Sequence, residues 1–164
     1  MDIFLELDWD GGSGPGSDPD KAQPYLKFVS EYIRIHNVRS VLDLGCGDGR
    51  LAEATDWRGA SYVGLDIKTG HDILTCKRPE ADLVLVKDVL QHWSNAAIDQ
   101  IFPRLYGCKH VLITNCCDPF KTNEDITTGY ARALDLAAEP FNWPVREVLR
   151  WRGDETKAVV TWIN

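Results

Sequence analysis

Ten residues limit the folds open to this chain more than any others: Val41-Leu-Asp-Leu-Gly-Cys-Gly-Asp-Gly-Arg50, an apolar run with one acid that ends in alternating glycines. The stretch from Val38 to Leu44 suits a short strand buried on both faces, and Gly45 breaks it. Gly45, Gly47 and Gly49 allow a tight turn in which backbone N–H groups approach a ligand with no side chain in the way. A dinucleotide-binding turn would place its third glycine at position 50, where Arg50 stands. Asp43 lies two places before the first glycine instead, and its carboxylate would repel a pyrophosphate but attract an ammonium.

The rest of the chain reads as alternating helices and strands. Gly11, Gly12, Gly14, Pro15 and Gly16 make residues 8–18 a loop. A helix follows, with Ser17 or Asp18 as its cap, Pro19 in its first turn, Tyr25, Phe28, Val29, Tyr32 and Ile33 at helical spacing, and an end near His36 and Asn37. A short helix over 50–56 and a strand over 61–65 come next. Only residues 67–71 separate Asp66 from Asp72-Ile-Leu74, too few for the helix that joins parallel strands. Either that helix is lost or the third strand is vestigial. Residues 82–87 read as a buried strand, Ser94 as the cap of a helix running to about Leu105 with its end kinked by Pro103, and 110–115 as another strand. Residues 116–146 are too many for a plain connection and hold a short helix near 131–138. Residues 147–152 and 157–163, joined through Gly153-Asp154, form a hairpin. This order predicts a mostly parallel α/β sheet with one antiparallel strand. Ligands of such sheets bind beyond the carboxyl ends of the strands, here the loops after 44, 65, 74, 87 and 115.

Composition narrows the partners. A length of 164 residues at 44% hydrophobic content supports one core, read as a single domain over 19–164 behind a flexible glycine-rich loop or lid over 1–18. Acidic residues outnumber basic ones 25 to 18, for a net charge of -7, and no basic run exists to hold a phosphate backbone, so nucleic acid is disfavoured. Neither a secretory signal nor a membrane-spanning run is present, so a soluble, cytoplasmic chain is expected. The odd set Cys46, Cys76, Cys108, Cys116 and Cys117 reads as reduced thiols. Cys108, His110, Cys116 and Cys117 do not match ordinary zinc spacing, and no metal is expected. Nothing in the pattern sets an oligomeric state.

Asp43-x-Gly45-x-Gly47-x-Gly49, with Val41-Leu42 before it, resembles the first motif of the class I S-adenosylmethionine-dependent methyltransferases. Val63-Gly-Leu-Asp-Ile67 resembles their second motif, whose acid binds the ribose hydroxyls. His71-Asp72-Ile73 is similar to the segment whose Asp contacts the adenine amine, and Ala81 to Trp93 to the fourth motif. The resemblance spans roughly residues 20–163. It implies a three-layer Rossmann-like sandwich, with a mostly parallel seven-stranded sheet, an antiparallel C-terminal hairpin strand and a shortened third-strand region. It also implies S-adenosylmethionine as cofactor and S-adenosylhomocysteine as product, with Asp43, Gly45, Cys46, Gly47, Gly49, Asp66, Ile67, Asp72, Ile73, Lys87 and Asp88 at the cofactor.

Each site residue has a second reading. Asp66, at a strand end, has two oxygens for two ribose hydroxyls, or caps a surface turn. Asp72 contacts adenine or belongs only to a turn. Methyl transfer is an in-line displacement on a sulfonium, so the protein aligns the acceptor and, for a hydroxyl or amine, removes a proton. His92, with Asp88 four residues before it, is the natural base; the pair otherwise caps a helix or lines the pocket. Trp93 reads as wall. Ser13 and Ser17 offer donors to the cofactor's carboxylate if the glycine-rich loop closes over it, and otherwise sit in a tail. Within 116–146, Tyr130, Arg132 and Asp135 either orient a polar substrate or lie on a packed surface excursion.

The leading function is thus O- or N-methyl transfer to a small polar molecule. Nucleic-acid amino-methylation is disfavoured further, because Lys87-Asp-Val-Leu stands where an Asn/Asp-Pro-Pro-Tyr/Phe motif would hold a flipped base. A non-catalytic S-adenosylmethionine-binding module serving a partner protein is the alternative, and a nicotinamide-dependent oxidoreductase is weak because the glycine spacing is wrong.

Overall fold

The structure is a computed structural model and describes residues 13–118, 120 and 123–163; most of the glycine-rich loop, including Gly11 and Gly12, lies outside them. After a 3-10 turn at Pro15–Ser17 come α1 (Gln23–His36), β1 (Ser40–Leu44), α2 (Arg50–Ala54), β2 (Ser61–Leu65), β3 (Leu83–Lys87), α3 (Asn95–Leu105), β4 (His110–Cys116), β5 (Val145–Arg152) and β6 (Thr156–Trp162). The strands form one sheet in the order β2-β1-β3-β4-β6-β5. The pairs among β2, β1, β3 and β4 are parallel, and β6 runs antiparallel to both β4 and β5. The single opposed strand of the sequence reading is therefore β6.

Side chains alternate across the sheet and give it two apolar faces. Val41, Leu83, Leu85 and Leu112 face α1, where Leu26, Val29 and Ile33 pack. Leu42, Leu44, Val84, Val86, Val111 and Ile113 face Ile98, Ile101 and Leu105 of α3. The three layers of the expectation are present.

Among the described residues the sheet has six strands, not the expected seven. After β2 the chain enters a 3-10 turn at Ile67–Thr69, and residues 72–75 form a second turn, closed by the N–H groups of Thr75 and Cys76 on the carbonyl of Asp72. The Asp72 carboxylate also accepts from Leu74 N–H and the Thr75 hydroxyl, each at 2.9 Å. These local bonds occupy the groups that a strand would offer to the free side of β2. Among those residues both the crossover helix and the third strand are gone.

Two helix expectations also change. α1 starts at Gln23, because Asp18 Oδ1 accepts from Asp20 N–H and the Asp18 carbonyl from Ala22 N–H, which folds 18–22 into turns before the helix begins. No helix forms near 131–138. There Asn123 donates to the carbonyls of Asp135 and Glu139 and accepts Asp135 N–H at 2.8 Å, engaging backbone groups that a helix would use. α3 starts as read, with Ser94 Oγ accepting from Ala97 N–H, and continues through Pro103.

Candidate active site

A cavity of about 700 Å³ opens at the carboxyl ends of β1, β2 and β3. It brings together Ser13, Ser17, Gly45, Gly47, Asp66, Ile67, Asp72, Ile73, Lys87, Asp88 and His92 from six separate stretches of chain. The tip of the β5–β6 hairpin, Gly153 to Glu155, with Trp151 and Lys157, closes the far side.

The glycine turn is held from both sides. Gly47 has φ 61°, and a Cβ there would collide with Ser13 Oγ. Its N–H donates at 2.9 Å to one oxygen of Asp66, whose other oxygen accepts from Lys68 N–H at 2.8 Å. The 3-10 turn that Asp66 caps adds the Thr69 N–H to this carboxylate, a donor it shares with the Asp66 carbonyl, so a vicinal diol would find two acceptor sites by displacing Thr69. Ser13 straps the turn: its hydroxyl accepts from Asp48 N–H at 2.8 Å, its N–H donates to the Asp48 carboxylate, and its carbonyl accepts from Arg50. Farther along, Lys87 Nζ donates to the carbonyl of Gly16 at 2.7 Å.

Asp43 sits behind this turn and does not line the cavity. The Tyr62 hydroxyl donates to it at 3.0 Å. Its strand partner is Gly64, where a Cβ would come within 2.7 Å of Cys46 Sγ and 2.9 Å of the Tyr62 hydroxyl. Burial pushes the Asp43 carboxyl up to about 6, against the Tyr62 hydrogen bond and the Lys87 charge, which pull it down. The ionised form is thus penalised by folding, so stability falls as pH rises from about 4 to about 6. Asp43→Asn is expected to raise stability at neutral pH by an amount on the order of 2 kcal/mol, seen as a higher melting point, and to flatten the pH dependence over that window. Thermal melts from pH 4 to 8 check this; equal curves for both proteins would refute it.

Asp88 is fixed in the left-handed region, with φ 56°, and its N–H donates to the Thr114 carbonyl. Its carboxylate lies 2.6 Å from Lys87 Nζ and 2.8 Å from Lys157 Nζ. Burial pushes this carboxyl up, but the two lysines outweigh it and hold it below the usual range. Lys157 in turn lies 2.9 Å from Cys116 Sγ and 3.2 Å from Glu155.

His92 closes the 3-10 turn Leu90–His92 rather than sharing a helix face with Asp88, since α3 begins only at Asn95. Its Nδ1 is 3.1 Å from the carbonyl of Tyr130, which can only accept, so Nδ1 carries the hydrogen. Gln91 Oε1 accepts from Cys116 N–H at 2.7 Å, which turns the amide NH2 toward His92 Nε2 at 3.3 Å. Both contacts select the same tautomer, with the lone pair on Nε2. Burial holds the imidazole below its ordinary pKa, so the ring is neutral at neutral pH.

Other candidates lie outside the cavity lining. Cys46 and Gly49 flank the turn, and burial pushes the Cys46 thiol up to about 12. Tyr130 projects its ring to solvent and contributes only its carbonyl to His92. Arg132 donates to the carbonyls of Trp93 and Glu124, and Asp135 caps a turn at Ala137. None of these three lines the cavity; their stretch braces the His92 turn, and its Thr128 and Ala131 stand on the cavity wall. Sequence reasoning missed Gln91, Thr128, Trp151, Glu155 and Lys157, which line the cavity. Alternation along a hairpin strand could have marked Trp151 and Lys157 as facing one way or the other, but not toward which loop. No helix among the described residues is long and apolar enough to cross a membrane.

No known family model matches the chain, and no curated protein matches its sequence. Solved structures do match. Human N-acetylserotonin methyltransferase in complex with S-adenosylmethionine aligns at a TM-score of 0.63 and 14% identity, over 85% of this chain and 51% of that one. The mitomycin 7-O-methyltransferase MmcR aligns at 0.57 and 14%, over 84% of this chain and 54% of that one. Magnesium protoporphyrin IX methyltransferase from Synechocystis PCC 6803, with S-adenosylhomocysteine bound, aligns at 0.59 and 14%, over 98% and 93%. The chain thus spans about half the length of the first two. At these identities the likeness is one of fold.

Proposed function

We propose that this chain, which has the fold of the class I S-adenosylmethionine-dependent methyltransferases, binds S-adenosylmethionine and methylates an oxygen or nitrogen of a small polar molecule. The observation that carries the reading is the Asp66 carboxylate bonded to Gly47 N–H, in the same cavity as Asp72 and His92. Asp66 accepts the ribose hydroxyls, one of them in place of the Thr69 N–H, and Asp72 meets the adenine amine. Lys87, Ser13 and Ser17 serve the cofactor's carboxylate, with 13–17 as part of a lid. Asp43 acts from behind the turn, by charge, on the cofactor's ammonium. When bound, the cofactor supplies an electrophilic methyl on a sulfonium. His92 Nε2 takes the acceptor's proton, which needs the acceptor to displace the long contact from Gln91. The five unpaired thiols suit a reducing compartment, and we place the protein in the cytoplasm.

Calorimetry with S-adenosylmethionine, followed by assay of S-adenosylhomocysteine release over a panel of small hydroxyl and amine compounds, tests the reading. Absence of binding would refute it. Binding without turnover would favour a non-catalytic module serving a partner protein. One feature suits that second reading: Asp88 is already neutralised by Lys87 and Lys157. For the base, His92→Ala is expected to lower turnover about a hundredfold with cofactor affinity unchanged. Because the imidazole pKa is depressed, the acid limb of the wild-type rate profile should fall below the ordinary imidazole value and vanish in the variant. A rate profile unaltered by the substitution would remove His92 from the reaction.

A further inference from the structure

The turn that lines the main cavity through Asp72, Ile73 and Leu74 continues into a second cleft, of about 550 Å³, between residues 75–78 and the end of α3. Lys77, Arg78 and Arg104 line this cleft, and no acidic residue does. In a chain where acids outnumber bases 25 to 18, none of these three cations stands in an ion pair among the described residues. The two half-buried guanidiniums have only weaker partners: Arg78 Nη1 lies 2.7 Å from Cys108 Sγ, and Arg104 Nη2 donates to the Cys76 carbonyl at 2.6 Å. Arg104 Nε is buried and has no acceptor. Each guanidinium keeps N–H groups beyond these bonds, and an oxyanion is the acceptor that suits them.

We propose that this cleft binds a phosphate group, engaged by Arg78 and Arg104 and neutralised at the mouth by Lys77. Arginine forks match phosphate oxygens in pairs, and two forks with one ammonium suit a single dianion. A long polyanion is opposed by the net charge of -7 over the rest of the surface. Tyr106 borders the cleft with its ring 61% exposed and stacked on Phe102, an aromatic surface for a phosphate ester that carries a ring. The site is separate from the proposed methyl-transfer chemistry and stands or falls without it.

The test is titration of inorganic phosphate and of phenyl phosphate into the whole chain at constant ionic strength, balanced with chloride, followed by phosphorus NMR line width and thermal melting. Saturable broadening and a raised melting point are expected. The double variant Lys77→Gln/Arg78→Gln should weaken binding about tenfold or more while melting like the wild type without ligand. It leaves Arg104 and its bond to Cys76 in place, whereas Arg104→Ala also removes that bond. Tighter binding of phenyl phosphate, lost in Tyr106→Ala, assigns a ring-bearing phosphate ester; equal binding assigns free phosphate. A response no larger than that to chloride, or saturable binding undiminished in the double variant, overturns the proposal.

Discussion

A protein carrying Gly47→Val is expected to lose S-adenosylmethionine binding by about a hundredfold or more, enough to leave calorimetric traces flat. Two effects combine. A β-branched residue is strained at φ 61°, and its Cβ would occupy the space of Ser13 Oγ. Displacing Ser13 breaks its bonds to Asp48 N–H and the Asp48 carboxylate, so the strap over the turn is lost along with the turn's shape. Gly49→Ala separates the two effects. That position also has positive φ, but nothing stands within 4 Å of its missing Cβ, so only backbone strain remains and a smaller loss is expected. Wild-type affinity in Gly47→Val would show that the turn does not hold the cofactor.

Asp66→Ala should abolish binding to a similar degree, for a different reason. The substitution removes the oxygens proposed for the ribose hydroxyls and also strips acceptors from the N–H groups of Gly47 and Lys68. The second effect is structural, with a cost of about 1–3 kcal/mol in a melt. Asp66→Asn resolves the two. Its amide oxygen still serves one N–H, so the loss in a melt should be smaller than for Asp66→Ala. Its NH2 cannot accept from a hydroxyl, so affinity should still drop about tenfold or more. If Asp66→Asn binds like the wild type while Asp66→Ala does not, Asp66 acts by shaping the turn and not by meeting the ribose.

Much of this site was legible because it rests on local rules. Gly45, Gly47 and Asp66 follow parallel strands, and the sheet topology carries strand ends to one rim, so position in sequence implied position in space. Legibility failed where tertiary contacts decide. The 72–75 turn reads as easily as a short strand until the side-chain bonds of Asp72 are seen. Residues 131–138 have helical composition, yet a single buried Asn123, distant in sequence, takes up their backbone groups. Asp88 looked like a partner for His92, but its charge is committed to Lys87 and to Lys157, which lies far along the chain. No periodicity encodes such a pairing.

β6 follows β5 in the chain but is seated between β4 and β5 in the sheet. This order has a consequence for assembly. The parallel strands, α1 and α3 can condense from contacts made earlier in the chain, but the β5–β6 hairpin joins the sheet only when β6 docks against β4. That docking is a long-range step of the kind that slows folding. It also delivers Lys157, the second counter-ion of Asp88. An intermediate lacking β6 would hold the glycine turn and Asp66 in place yet carry an under-compensated buried carboxylate at the centre of its cavity. Maturation of the pocket is therefore coupled to completion of the sheet, and the charge balance of the site registers whether the chain has finished folding.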